Sequence, residues 1–184
     1  MAKRQSSLDF SEFGKIKSNV PLPLGAEAVF YKGWGMSISI TIDTNVINAK
    51  GMLSAMNKLE EWHDQEKICL FVNDVMEEEL TEGSVQYHKQ GKYIVQCLRP
   101  GHNYPELFEK FRKILFPTIS ITNLNKEQRR DIAHIIAHRK YLTDIFLTDD
   151  GNFIRHKTEL KIEQISVMTP DECVVLLKER FGWS

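Results

Sequence analysis

Ile42-Asp43-Thr44-Asn45 sets a carboxylate, a hydroxyl and an amide directly after a run that alternates polar and apolar residues. From Ser37 to Ile42 an Ile occupies every second position, which is the period of a β-strand. A carboxylate at the carboxyl end of a strand that opens a helix stands where open α/β sheets place their ligands. Three further carboxylates fall at comparable places. Glu79, or its neighbour Glu78, lies on the helix expected after the second strand. Asp131 stands just past the first turn of a long helix, and Asp150 follows the strand Ile145-Phe146-Leu147-Thr148. Carboxylates about 4 Å apart repel by roughly 1 kcal/mol even in water, so a cation must sit among them. Oxygen ligands alone suit Mg2+ or Mn2+, which bind through a few carboxylates and keep several waters. Such an ion can activate a bound water and neutralise charge growing on a phosphoryl oxygen, so the chemistry implied is phosphodiester hydrolysis.

Each residue also has a plainer explanation. Asp43 alone would cap a helix, and Glu77-Glu78-Glu79 would be a solvated helix face. Asp131 would complement a helix dipole, and Asp149-Asp150-Gly151 would be a turn. Four carboxylates in one order, with strand and helix between them, outweigh those separate readings.

The elements that must position them follow from periodicity. Val46, Leu53, Met56, Leu59 and Trp62 recur at helical spacing, and Lys67 to Val72 is a nearly unbroken apolar run of the kind buried on both faces. Asn73-Asp74 caps a helix through Val75, Met76 and Leu80. This β-α-β-α order predicts a parallel sheet with right-handed crossovers. Further along, Leu107, Phe108, Phe111, Ile114 and Leu115 form one apolar helical face, a core stripe that would serve as a dimer or partner face if only half covered. Thr118 to Ile121 is expected as a short strand, and Asn125 as the cap of a helix from Lys126 to about Tyr141. Asp144 to Thr148 and Ile165 to Met168 are the last strands. Thr169-Pro170-Asp171-Glu172 then starts a closing helix that buries Val174, Val175 and Leu176 or Leu177.

Length and composition set the frame. The 184 residues suit one domain with an arm: residues 1–36 as a partly irregular amino-terminal arm, and 37–184 as the domain, with a helical segment around 83–117. In the arm, Ala28 to Tyr31 is a candidate short strand. Lys+Arg 24 against Asp+Glu 25 removes global basicity as a sign of nucleic acid, so a phosphate backbone would need a local basic rim. Arg129, Arg130, Arg155 and Lys157 flank Asp131 and Asp150 and could form one. Cys69, Cys97 and Cys173 lack ligand spacing, and Cys69 and Cys173 read as buried thiols, which suits a reducing cytoplasm. No apolar run approaches the roughly 20 residues of a membrane span, and the first residues lack a signal-peptide core. Asp131, His134 and His138 share a helix face, but no third spaced ligand makes them a zinc site. His134 is expected at the crevice edge and His138 as a partly exposed residue.

Ile42-Asp43-Thr44-Asn45-Val46 resembles the opening motif of the PIN-domain family, metal-dependent ribonucleases that include the toxins of bacterial toxin–antitoxin pairs. Asn73 and Glu79-Leu80 fit the family's second motif, with Glu78 as the fallback. Asp131 to Ala137 looks like the third motif. Phe146-Leu147-Thr148-Asp149-Asp150-Gly151-Asn152-Phe153 looks like the fourth, whose frame selects Asp150 over Asp149. The resemblance spans roughly residues 37–180. The arm and the long middle, 83–117, depart from the compact members. What the resemblance implies is an α/β fold, a three-layer α/β/α sandwich with a central parallel sheet. Asp43, Glu79, Asp131 and Asp150 would be the catalytic set, holding one or two Mg2+ or Mn2+ ions and cutting RNA to 5′-phosphate and 3′-hydroxyl ends. Thr44, Asn45, Thr148 and Asp149 would support them. An antitoxin-like protein inhibitor and a homodimer are the partners it implies. Two rivals stand beside the ribonuclease: a catalytically silent PIN-like module that binds RNA or protein, and a small phosphatase. The second lacks an Asp-x-Asp nucleophile motif at Asp43.

Overall fold

A computed structural model of the chain describes residues 38–48, 53–73, 75, 94–96 and 104–183. The amino-terminal arm with its candidate strand Ala28–Tyr31, Cys97, and the helix expected to carry Glu78 or Glu79 lie outside the described residues.

Five strands form one sheet, β1 (Ile38–Ile42), β2 (Ile68–Asn73), β3 (Ile94–Gln96), β4 (Ile145–Leu147) and β5 (Val167–Met168), in the order β3-β2-β1-β4-β5. Every neighbouring pair is parallel. Among the described residues the helices are α1 (Thr44–Asn48), α2 (Ser54–Asp64), α3 (Pro105–Leu115), α4 (Lys126–Tyr141), α5 (Gly151–Arg155), α6 (Lys157–Ile162) and α7 (Pro170–Phe181). The mixed α/β class and the parallel sheet follow the β-α-β order in the sequence.

Helices cover both faces of the sheet. Ile40, Ile42, Leu70 and Leu147 join α1, α2 and α7 through Val46, Leu59, Trp62, Cys173 and Leu177 in one apolar layer. Phe146 and Val167 point the other way and pack with α3 to α6 through Phe111, Ile132, Ile135, Phe153 and Leu160. The edge-to-face pair Phe146–Phe153, with centroids 5.1 Å apart, ties β4 to α5 on that side. Cys69 and Cys173 are buried and outside any disulfide among the described residues, and burial pushes the Cys173 thiol up to about 12. No helix among the described residues is long and apolar enough to cross a membrane.

β1 is the middle strand, and its alternation has a different cause from a half-exposed edge. The Ile side fills the first layer. The Ser and Thr side faces polar partners instead, buried at Thr41 and exposed at Ser39. Thr41, fully buried, shares hydrogen bonds with Thr143 (2.6 Å) and His138 Nδ1 (3.2 Å), and the Thr143 hydroxyl lies 2.7 Å from the same nitrogen. Asp144 accepts from the Ser39 amide and hydroxyl at 2.8 and 2.6 Å, and its own amide donates to the Ser39 carbonyl at 2.9 Å. These bonds dock the start of β4 on β1 and fix the register Ile40↔Ile145. His138 is therefore buried, not partly exposed as its spacing suggests, because its ring stacks edge-on against Phe146.

Two local expectations are corrected. Residues 118–121 make no strand; a turn leads into a single 3-10 turn, Ile121–Asn123. Arginine side chains take the carbonyls a ladder would use: Arg112 donates to Phe116 and Ile119, and Arg129 to Ile121 at 2.7 Å. Val175 is half exposed, since α7 turns Pro170, Cys173 and Leu177 inward. The apolar face of α3 is core: Phe111 and Leu115 are buried, and Leu107, Phe108 and Ile114 pack on the same cluster. Both long helices start where their caps stand, with reciprocal capping boxes at Asn125/Gln128 and Thr169/Glu172.

Candidate active site

The strand order fixes where a site can form. From β1 the chain builds outward through β2 and β3, then returns to place β4 on the other side of β1. Crossovers on the two sides of that reversal leave by opposite faces, so a crevice opens beyond the carboxyl ends of β1 and β4. Asp43 is the first residue past β1, and Thr148, Asp149 and Asp150 are the first three past β4.

The Thr148 hydroxyl joins the two strand ends. Its Oγ1 donates to Asp43 Oδ2 at 2.6 Å and accepts from the Asp150 amide at 3.0 Å and, more distantly, from Asn45 Nδ2 at 3.4 Å. A single hydroxyl thus uses its proton on one carboxylate and its lone pairs to place the backbone carrying the other. The Asp43 amide donates to Leu147 at 2.8 Å, continuing the ladder to the edge of the crevice. Asp43 Oδ1 accepts from the Thr44 amide at 2.8 Å, and Asn45 Oδ1 from the Asp149 amide at 3.4 Å. Asp150 caps α5, its Oδ1 accepting from the Asn152 amide at 2.7 Å.

Electrostatics set Asp43 apart. Only 6% of it is exposed, and burial pushes its carboxyl above the usual range. His134, the Thr148 hydroxyl and the Thr44 amide pull in the opposite direction, while the charge of Asp150 pushes the same way as burial. Burial and the charge of Asp171 raise Asp149, whereas of the two adjacent carboxylates it is the charge of Asp150 that is felt at Asp43.

α4 forms the wall above this pair. His138 meets Thr41 on β1, and His134 is buried one turn earlier on the helix. Asp131 lies three residues before His134 on the same face, about 4.5 Å further along the helix axis. It is half-buried. On the other side, the β1–β2 register Thr41↔Phe71, carried two residues further, sets the buried Asn73 level with Asp43. The segment leading to Glu79 therefore leaves from beside Asp43; Glu79 itself lies outside the described residues.

Among the described residues no three His, Cys, Asp or Glu side chains converge closely enough to hold a metal by themselves. On α4, Nδ1 of His138 is taken up by the hydroxyls of Thr41 and Thr143. Two oxygen-donating carboxylates, one buried and repelled by the other, remain suited to a hard cation that keeps water ligands. Lys157 is held by both oxygens of Glu172 at 2.7 Å, and Arg129 by the carbonyls of Leu124 and Ile121, while Arg155 is exposed. A groove of about 570 Å3 runs along β5 between α6 and α7, floored by Ile165 and Met168. It adjoins the crevice at Met168, whose carbonyl accepts from the Thr148 amide at 3.0 Å, and its mixed charges give no reason to move the site there.

Thr148→Val keeps the shape and removes the hydroxyl. It leaves the Asp150 amide without its acceptor and Asp43 without its buried donor, a loss of about 2–4 kcal/mol in urea unfolding. Thr148→Ser, which keeps the hydroxyl, is expected to lose about 1 kcal/mol.

The polar contacts that dock β4 on β1, Ser39–Asp144 and Thr41–Thr143–His138, have no motif in the sequence; the usable signal is Thr143-Asp144 standing between a helix and an apolar run. Compared with known proteins, the chain matches no family model and no curated protein.

Proposed function

We propose that the chain is a Mg2+- or Mn2+-dependent ribonuclease with a PIN-like α/β/α sandwich. The observation that carries this reading is the joining of Asp43 and Asp150 through one hydroxyl at the reversal of the sheet. Asp43 and Asp150 would hold the ion, with Asp131 from α4 and Glu79 from beyond Asn73 completing the set. The bound ion supplies charge neutralisation at the phosphate and a water of lowered pKa. The chain's own residues prepare for it. Thr44 and Thr148 fix both oxygens of Asp43, so its carboxylate does not turn as charge builds up. Burial keeps bulk water from Asp43, and the cap on α5 holds the half-buried Asp150 carboxylate at the next strand end.

Labelled single-stranded RNA with Mg2+ or Mn2+ tests the reading. Cleavage that needs the metal, yields 5′-phosphate ends and disappears in Asp43→Asn is the expected result. The second reading, a silent RNA- or protein-binding module, draws on the convergence of only two carboxylates among the described residues. Equal RNA binding by both forms with no cleavage would favour it. Turnover of a small phosphate ester without RNA cleavage would favour a phosphatase, and cleavage surviving Asp43→Asn would place the site elsewhere.

A further inference from the structure

β5 is an outer strand of the sheet, paired on its β4 side. Phe146 and Thr148 donate from β4 to the carbonyls of Ser166 and Met168 at 2.8 and 3.0 Å. Backbone groups alternate between the two sides of a strand, so the N–H and C=O of Val167 point away from β4. Neither group has a hydrogen-bond partner among the described residues. Val167 is 2% exposed and lines the groove of about 570 Å3 between α6 and α7, so what reaches this pair comes along the groove. Buried backbone groups are rarely left unpaired.

The two walls of the groove differ in chemistry. α6 packs on one face of the sheet through Leu160, and α7 on the other through Cys173 and Leu177. Lys157 and Glu172 bridge the walls near the amino ends of both helices at 2.7 Å. Past that bridge α6 presents Lys161, and α7 presents Val175, Leu176 and Glu179. Among the described residues Lys161 and Glu179 make no ion pair, and Val175 is half exposed.

We propose that this groove takes an extended peptide segment of a partner protein, which adds to β5 as a further strand, pairs with the backbone of Val167, and alternates acidic residues toward α6 with apolar residues toward α7. Successive side chains of an added strand point to opposite faces of the sheet. Those on the α6 side meet Lys161. Those on the α7 side cover Val175 and Leu176, with a basic residue beside Glu179. Main-chain bonds give such a contact its affinity, and the walls give it specificity. A second copy of this chain suits the edge poorly. Antiparallel pairing about a two-fold axis sets α6 beside α6 and gathers the Lys161 side chains on one face. Peptide binding here needs no cation and no RNA, so it stands or falls apart from the ribonuclease reading.

The probe is a blocked peptide in which aspartate and valine alternate and a lysine closes the sequence, titrated into the isotope-labelled full chain by NMR. Saturable shifts centred on the Val167 amide are expected. N-methylation of one alternate set of peptide residues removes the donors facing β5 and should cost about tenfold or more in affinity, while methylation of the other set is tolerated. Lys161→Glu, a surface change, should weaken the peptide by about fivefold. A peptide with lysine in place of aspartate should then prefer that variant to the wild type. Absence of saturable shifts at Val167 overturns the proposal, as do equal effects of the two methylated sets, since the backbone edge is then unused. Unchanged affinity in Lys161→Glu overturns the assignment of the acidic face. Self-association of the chain that competes with the peptide overturns the partner in favour of a second copy.

Discussion

Asp43→Asn will be more resistant to urea than the wild type at neutral pH and will not cleave RNA. The two effects share one cause. Asp43 is buried beside Asp150, and its carboxyl is raised, so the fold disfavours the charged form. The unfolded chain ionises Asp43 at its ordinary value, and stability falls as pH climbs from there through the folded value. Asparagine has no such term. Its oxygen can still accept from the Thr148 hydroxyl, so the substitution gives up only the bond from the Thr44 amide against the charge it relieves. Loss of a group that merely orients a metal ligand costs roughly 10–100-fold, so loss of the ligand itself must cost more. The measurement is a pair of urea curves at pH 7 and below pH 4. The variant's advantage should be present at pH 7 and vanish in acid, where both side chains are neutral. A variant less stable at pH 7 would mean that the bonds to Thr44 and Thr148 outweigh burial, and the carboxylate would then be a structural cap.

A charge kept at a cost to the fold is what separates a functional carboxylate from a cap. Asp150 illustrates the contrast, because it caps α5 and also faces Asp43; the sequence reading of Asp149-Asp150-Gly151 as a turn accounts only for the first role. The parallel sheet and both capped long helices were legible in the sequence because their signals are local: period-2 isoleucines in β1, an apolar run in β2, and Asn125/Gln128 and Thr169/Glu172 at the helix starts. Asp43 and Asp150 were legible for the same reason, each standing just after a strand. What could not be read were relations over about a hundred residues. Whether Thr41 meets water or Thr143 depends on α4 lying over β1, and nothing in Ser37 to Ile42 says so. Residues 118–121 carry strand-like composition, yet Arg112 and Arg129 claim their carbonyls from two different helices. His138 was misplaced because helix α4 is wet at both ends and its burial is decided by Phe146.

That misplacement leads to the second large effect. The stability of the chain will fall as pH drops below about 6.5, and His138 will carry much of the fall. Burial, with a smaller push from Arg139, lowers its folded pKa from 6.5 to about 3. Its Nδ1 lies between the hydroxyls of Thr143 and Thr41, and Phe146 covers the ring, so the groups packed on it offer a proton hydroxyls and an aromatic edge rather than a carboxylate. Between those two values the unfolded chain binds a proton that the folded chain excludes. Stability from this residue is complete above pH 6.5 and declines as pH falls, by about 2 kcal/mol at pH 5. Asp43 works in the opposite sense, since its raised folded pKa makes acid favour the fold. The two are separable by substitution. His138→Asn sets an uncharged amide near the position of Nδ1; it will be less stable at pH 8, having lost the ring against Phe146, but its slope between pH 6.5 and 5 will be flatter than that of the wild type. Urea midpoints of both forms across that interval decide the matter. Parallel slopes would mean that His138 takes up its proton in the fold as readily as in the unfolded chain, and that the polar layer between α4 and β1 opens to admit it.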